Sequence, residues 1–253
     1  MKRSAVTSLL ALLLILPACS SSLQAQEALA SQPATTQPAT TAPAEDDFTR
    51  TLDDLTTKAA AINDLSAQFT QTKTTAVLRK PLVSQGQINV RGSQTRWTTL
   101  SPRPSAMSTS TGEIHLYYPQ QKVLEIYPLD RKLSELVASP LPPIAILRRY
   151  FDIAPATAEQ TGLSTTQEIE KPIHLRLTPR DEQIAEYVQR IDVLIDSTTG
   201  LALAMAMTNA TDERTVVEFT QVTINPGLKD EDLQIQIPAG TRTVRPLEAG
   251  TAR

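Results

Sequence analysis

The chain has 253 residues, of which 24 are Lys or Arg and 27 are Asp or Glu. Its formal charge at pH 7 is −3, so nucleic-acid binding is not expected. Only two His and one Cys are present, which excludes zinc-finger, iron–sulfur and disulfide-based folds. With so few imidazole and thiol groups, we expect no catalytic site, no bound metal and no cofactor.

The N-terminus has the pattern of a secretory signal. Lys2 and Arg3 precede an apolar run over residues 5–16, which is too short to span a bilayer comfortably. The run ends in Leu-Pro-Ala-Cys, and this sequence resembles the lipobox of bacterial lipoproteins. The resemblance implies a signal peptide of residues 1–18 and an acylated Cys19, which would anchor the chain in a membrane permanently.

Two further features concern the anchor. Cleavage at Ala25 or Ala30 is the alternative and would remove Cys19, but both positions lie far beyond the end of the apolar run. Ser20 follows the cysteine where enteric bacteria place an Asp in lipoproteins kept at the inner membrane, so the outer membrane is favoured. Residues 19–45 include two copies of Gln-Pro-Ala-Thr-Thr and few large apolar side chains, which predicts a disordered linker.

Residues 46–253 are long enough for one domain with a sizeable core. An amphipathic helix of about five turns is predicted by apolar residues at steps of three and four, namely Phe48, Leu52, Leu55, Ala59, Ile62 and Leu65. Alternation with period two then predicts strands at Leu82–Val90, Thr95–Leu100, Ser105–Thr109, Glu113–Tyr118 and Lys122–Tyr127. Helical spacing around three prolines predicts two short helices between residues 132 and 153. Strands resume at Ile173–Thr178, Tyr187–Asp196, Leu201–Thr208, Arg214–Val222 and Leu233–Ile237.

This order predicts an α+β domain with a large, strongly curved antiparallel sheet that has one apolar face. The strand at 201–208 would place Leu201, Leu203, Met205 and Met207 on one face. Flexible Met side chains suit a surface that fits acyl chains of variable shape, although they also fill ordinary cores.

Few residues are candidates for chemistry. His115 and His174 lie on predicted strands, on the side that also carries charged residues, so we expect both to face solvent. The acidic run at 229–232 lacks the ligand spacing of a calcium loop and is interpreted as a solvated turn. No nucleophile–base pair is visible, which argues against a hydrolase.

Several short segments, taken in order, resemble the LolA-like family of periplasmic lipoprotein carriers. These segments are Ile62–Gln71, Gly86–Arg91, Arg96-Trp97 with Pro102, Thr111–Pro119, Thr215–Phe219, Asn225-Pro226 and Ile237–Gly240. The resemblance implies an incomplete antiparallel β-barrel of about ten or eleven strands, with a helical lid that encloses an apolar cavity. It also implies a monomer without catalytic activity that binds the acyl chains of lipoproteins and works with an inner-membrane lipoprotein-releasing complex.

The resemblance also assigns site residues. The residues expected to line the acyl cavity are Phe69, Trp97, Met107, Leu116, Met205 and Met207. Arg91 matches by spacing the arginine that holds the lid closed in the carriers, and Arg96 is the alternative. The lipobox departs from the soluble carriers, so this chain is expected to be a membrane-bound carrier or acceptor in sorting to the outer membrane. A lipid-sensing or regulatory protein on the same fold is the alternative.

Overall fold

The computed structural model describes residues 42–76, 78–110, 112–129, 136 and 144–247. The predicted signal peptide, Cys19 and nearly all of the predicted linker lie outside these residues, as does most of the first helix predicted after residue 132. Among the described residues, the helices are too short or too polar for any of them to cross a membrane.

The first helix, α1, spans Ala42–Ala60 and ends earlier than predicted. The expectation that it continues to Leu65 is wrong, because distant hydrogen bonds capture the backbone after Ala60. The side-chain oxygen of Asn225 accepts the N–H of Asn63 at 2.7 Å, and the backbone N–H of Asn225 donates to the carbonyl of Asp64 at 2.8 Å. The chain therefore enters a strand at Asp64 instead of continuing the helix.

Twelve strands form one open sheet, and this confirms the predicted α+β, half-open barrel. Their bounds are β1 Asp64–Thr74, β2 Leu82–Arg91, β3 Gln94–Ser101, β4 Ser105–Ser110, β5 Glu113–Tyr118, β6 Val123–Pro128, β7 Phe151–Ala156, β8 Pro172–Pro179, β9 Arg190–Asp196, β10 Leu201–Thr208, β11 Arg214–Ile224 and β12 Arg242–Val244. The order across the sheet is β12-β6-β5-β4-β3-β2-β1-β11-β10-β9-β8-β7. Neighbours are antiparallel, except that β12 pairs with β6 in parallel.

Four short helices complete the described fold: α2 Ile144–Tyr150, α3 Ala158–Thr161, α4 Glu182–Ala185 and α5 Asp230–Leu233. Two predicted elements differ from the structure: the second predicted helix forms as α2 but ends sooner, and one predicted strand is absent. Helical spacing was expected to continue through Ile153, but that residue lies in strand β7. Pro155 has no N–H to donate to a neighbouring strand, and it is tolerated in β7 because this strand lies at the edge of the sheet. The predicted strand Leu233–Ile237 is absent because its start belongs to α5, whose first turn carries three acidic residues.

The main core lies on one face of the sheet, which we call the inner face. Leu52 and Leu55 of α1 and Ile144 and Leu147 of α2 pack there with residues from nearly every strand. On the opposite, outer face a second cluster joins strand residues to the segment after α3: Leu163, Leu194, Ala204 and Ala206. A third cluster packs Ile235 against the outer side of β5 and β6. The two helices therefore cover an apolar inner face.

Strand β10 does not alternate as simply as predicted. Its pairing with β9 shifts register between Ala202 and Ala204, so Leu203 lies in a bulge. Ala202, Met205 and Met207 pack on the inner face, while Ala204 and Ala206 belong to the outer cluster. The expectation is therefore right for the two methionines and wrong for Leu201, which pairs with Asp196 on the face opposite Ala202, while Leu203 lies in the bulge.

Candidate functional site

Three predicted cavity residues form one row across the inner face. The register pairs Trp97 on β3 with Met107 on β4, and Met107 with Leu116 on β5. Ile88 on β2 extends the row on the other side of Trp97. Because directly opposed residues point to the same face of a sheet, these side chains make a continuous apolar strip.

An aromatic group lies beside this strip. The ring centroids of Phe69 and Trp97 are 4.4 Å apart with planes inclined by 38°, and Trp97 meets Phe219 edge-on at 6.1 Å. Phe69 lies opposite Gly86 in the ladder, where the absence of a side chain leaves room for the ring. Phe219 was not among the predicted site residues, although it alternates in phase with Val217 on β11.

The structure brings all six predicted residues to the inner face. Met205 and Met207 lie on β10, two strands from Phe69, with Met205 opposite Val217. Four of the six are buried, whereas Trp97 and Met205 are half-buried and pack against the core from its margin. Trp97 and Met205 are therefore the members of this set that a ligand can reach without displacing the core. Their role in binding acyl chains stays a prediction.

A polar group interrupts the inner face near β6. Glu125 lies opposite Leu116, and its Oε2 accepts a hydrogen bond from the hydroxyl of Tyr127 at 2.8 Å. Burial, together with the Glu125 charge, raises the pKa of Tyr118 to about 12. Burial, the hydrogen bond to Glu125 and its charge raise the pKa of Tyr127 as well. Both hydroxyls therefore stay protonated at neutral pH.

Glu125 was not among the predicted site residues, and a carboxylate on a strand ordinarily faces water. The alternation of side chains along β6 places Glu125 on the inner face, because its neighbours Leu124 and Ile126 belong to the third cluster, on the outer side of the sheet. Tyr127, two residues on, shares the face of Glu125 and belongs to the main core.

Arg91, the predicted lid-gating residue, binds the segment that follows β11. Its Nη1 donates to the carbonyl of Leu228 at 2.9 Å, and its Nη2 contacts the carboxylate of Asp230 and the side-chain oxygen of Gln94. These contacts tie the end of β2 to the start of α5. Only part of the helical segment predicted between residues 132 and 153 is described, so the gating role of Arg91 stays a prediction.

The two histidines lie on the outer face but are less exposed than predicted. His115 is half-buried and its Nε2 lies 3.0 Å from Oε2 of Glu113; this hydrogen bond and one from Arg245 lower the pKa of Glu113. His174 is also half-buried, with Nδ1 2.8 Å from the hydroxyl of Thr161 on α3. Both rings therefore lie on the solvent side of the sheet as predicted, but neighbouring segments cover part of each ring.

Burial lowers the pKa of His174, so the folded domain is expected to lose stability on acidification. As pH falls below the ordinary histidine value of about 6.5, the unfolded chain takes up this proton before the folded chain does. Urea unfolding of wild type and His174→Gln at about pH 7.5 and about pH 5 should show a larger loss for wild type. Equal losses in wild type and His174→Gln would contradict the assignment.

Several solved structures are similar to this chain. An uncharacterized conserved protein from Thermus thermophilus is 10% identical; the match covers 79% of this chain and 99% of that one, with a TM-score of 0.49. A putative outer membrane lipoprotein-sorting protein domain from Vibrio parahaemolyticus is 13% identical, with 72% and 95% covered and a TM-score of 0.39. A chain of the Pseudomonas aeruginosa MucA/MucB complex is 16% identical, with 75% and 61% covered and a TM-score of 0.41.

No curated protein matches the chain at a significant level. A family model does match, and it covers residues 60–236, from the end of α1 to beyond α5. This span includes all twelve strands except β12 and every predicted cavity residue. The description of the model is "Outer membrane lipoprotein carrier protein LolA", and the chain therefore belongs to the LolA family.

Proposed function

We propose that this chain binds the acyl chains of lipoproteins on its inner face and takes part in lipoprotein sorting in the cell envelope. The observation that carries the proposal is the apolar strip of Trp97, Met107 and Leu116 on the inner face of an open sheet, where Trp97 and, on β10, Met205 are only half-buried. Membership of a carrier family supports the same activity. Family members are binding proteins, and we propose that this chain likewise has no enzymatic activity.

The chemistry of the inner face suits an exchangeable apolar ligand. Each apolar side chain that a ligand covers contributes in proportion to the area removed from water, about 25 cal/mol per Å². Met side chains adapt to acyl chains of different shape because they are unbranched and polarizable. Binding and release require near balance between contacts of the core with itself and contacts with lipid, and half-buried residues favour that balance.

The proposed anchor determines where this activity occurs. If Cys19 is acylated, the domain stays at one membrane, and we propose the periplasmic side of the outer membrane. An anchored protein cannot carry cargo across the periplasm, so the role would be that of an acceptor or a local carrier. The proposed partners are acylated lipoproteins and, upstream of them, an inner-membrane lipoprotein-releasing complex.

The first experiment uses residues 19–253, the chain expected after signal cleavage, with Cys19→Ser, which removes the proposed acylation site. The protein is incubated with membranes that carry labelled lipoproteins, and the soluble fraction is tested for labelled lipoprotein bound to it. Labelled complexes would support a carrier or acceptor. Binding of a fluorescent fatty acid without release of lipoprotein would instead favour the lipid-sensing alternative, and failure of both assays would refute lipid binding.

Met205→Ser in the same background tests the binding surface directly. We expect the affinity for a fluorescent fatty acid to fall roughly fivefold, since about 1 kcal/mol of apolar contact is lost from a half-buried Met. Energy transfer from Trp97, the single Trp, to the bound fatty acid reports occupancy. Ile237→Ser, which changes an exposed apolar residue elsewhere, should leave the affinity unchanged. An unchanged affinity in Met205→Ser would exclude this margin from the binding surface.

A further inference from the structure

The distribution of charge along the chain is uneven. Between Asp64 and Glu113 the sequence contains no Asp or Glu, but it contains six cationic residues. These are Lys73, Arg79, Lys80, Arg91, Arg96 and Arg103. The stretch comprises β1 to β4 and their connections, so a strongly basic region lies within a chain whose net charge is −3.

Apolar side chains are exposed in the same region. Six large apolar residues are exposed among the described residues, and four of them lie at one end of strands β1 to β3. Leu78 is in the connection between β1 and β2, Leu82 and Val83 begin β2, and Leu100 precedes the last residue of β3. Leu100 is the most exposed of the six, at 56%.

The register shows that these residues are neighbours. Leu82 and Val83 pair with the end of β1, and Gln85, two residues beyond Val83, pairs with Ser101 directly after Leu100. Successive strand residues are separated by about 3.3 Å, so Leu100 lies within roughly 10 Å of Val83. Leu82 and Val83 point to opposite faces of β2, so Leu78, Leu82, Val83 and Leu100 together surround one end of the sheet, and we call this rim the apolar corner.

Three cations border the apolar corner. Arg79 and Lys80 follow Leu78 directly, Arg103 lies in the turn after β3, and all three are exposed. Within the described part of the chain, none of them has an ion pair or a hydrogen-bonded partner. Lys73, at the end of β1, differs because it pairs with Glu213 at 3.4 Å. The corner thus combines solvent-exposed Leu side chains with unpaired positive charge.

We propose that the apolar corner docks onto the surface of a bilayer that contains anionic lipids. Exposed Leu side chains gain free energy by entering the boundary between headgroups and acyl chains, and adjacent Lys and Arg are attracted to anionic headgroups. Charge complementarity therefore selects the anionic lipid surface as the occupant.

The corner is continuous with the inner face. Leu82 is four residues from Gly86, so it shares the face of Phe69 and lies roughly 13 Å along the strand from it. Docking at this corner would turn one rim of the inner face towards the lipid. The docking itself does not require the acyl-binding activity proposed above, so the two can be tested separately.

The test places a fluorescent probe at the corner. In residues 19–253, the chain expected after signal cleavage, Cys19→Ser removes the single Cys, and Leu82→Cys or Leu100→Cys then provides one site for an environment-sensitive NBD label. On vesicles of phosphatidylcholine and phosphatidylglycerol, the emission at both sites should shift to the blue and increase severalfold. A label at Ile237→Cys, an exposed position outside the corner, should not respond. Free fatty acid without vesicles should not reproduce the shift, which separates docking from ligand binding.

A charge variant tests the electrostatic part. Arg79→Gln with Lys80→Gln should weaken vesicle binding roughly fivefold per removed charge, and the loss should shrink at high salt. Lys171→Gln with Arg242→Gln removes the same charge from exposed positions elsewhere and should have a smaller effect. The proposal is overturned if NBD emission at Leu82→Cys and Leu100→Cys does not change on the vesicles. It is also overturned if the label at Ile237→Cys gives an equal change, or if vesicles of phosphatidylcholine alone give the same change.

Discussion

Asp192→Ala should lower the free energy of unfolding by about 3 to 5 kcal/mol, the range found when one member of a buried ion pair is removed. Asp192 lies on β9 and is fully buried. Its Oδ1 accepts from Nε of Arg176 at 2.7 Å, and its Oδ2 lies 3.2 Å from Nη1 of Arg214 and 3.5 Å from Nε of Arg190. Loss of this carboxylate would leave three guanidinium groups facing one another without a counter-charge.

The same network fixes α3 on the outer face. Arg176 donates to the carbonyl of Gln160 at 2.6 Å, and Arg214 donates to the carbonyl of Thr161. When the arginines lose Asp192, they lose the orientation that these bonds need. We therefore expect the variant to expose the segment around α3 to proteolysis before the rest of the domain unfolds.

The matched control is Asp152→Ala, which removes an exposed carboxylate paired with Arg180 on neighbouring strand ends. Exposed pairs contribute about 0 to 1 kcal/mol, so urea unfolding should barely change. If Asp192→Ala were as mild as this control, the arginine network would not be an element of stability.

The strands that were predicted well are those in which the pattern of neighbouring residues alone shows which side chains face the core. Glu113–Tyr118 and Leu201–Thr208 have the predicted bounds, because polar and apolar residues alternate in the first and large apolar residues alternate with Ala in the second. The end of α1 could not be predicted, because Asn225, over 160 residues away, decides it. The three-residue spacing of Ile62 and Leu65 fits a helix, but in the structure Ile62 lies in the loop after α1 and Leu65 lies in β1.

The candidate site was predictable where the inner face is apolar. Alternation and family resemblance together select Phe69, Met107 and Leu116, which all lie on that face. Glu125 was missed because a carboxylate on a strand ordinarily faces water, and only the register shows that it lies opposite Leu116. The bulge at Leu203 escaped notice for a similar reason, since no residue type in that strand requires it.

Gly86→Ala should lower the free energy of unfolding by about 3 kcal/mol, at the upper end of the usual cost of overpacking. A Cβ at Gly86 would lie 2.0 Å from the carbonyl oxygen of Thr98 and 2.7 Å from Cε1 and Cζ of Phe69. The carbonyl belongs to the neighbouring strand and cannot move without disturbing the ladder. The Phe69 ring cannot rotate freely either, because it is packed against Trp97.

The effect should reach the inner face. Displacement of Phe69 would alter the surroundings of Trp97, so its emission maximum should shift in the folded variant. Gly92→Asn is the control: Gly92 has a φ of +56° with no atom within 4 Å of a Cβ, and Asn tolerates that backbone at a cost of about 1 kcal/mol or less. Urea unfolding followed by Trp97 fluorescence measures both variants.

A double variant separates the two contacts. Gly86→Ala with Phe69→Leu removes the ring atoms that a Cβ would meet but leaves the Thr98 carbonyl in place. If the ring contact carries part of the cost, the double variant should be less destabilised than the sum of the two single variants, with a coupling of about 1 kcal/mol. If the losses in unfolding free energy of the two single variants simply add, the destabilisation by Gly86→Ala comes from the contact with the Thr98 carbonyl alone. In that case Gly86 is required for the approach of β3 to β2, and the position of Phe69 beside Trp97 follows from the sheet.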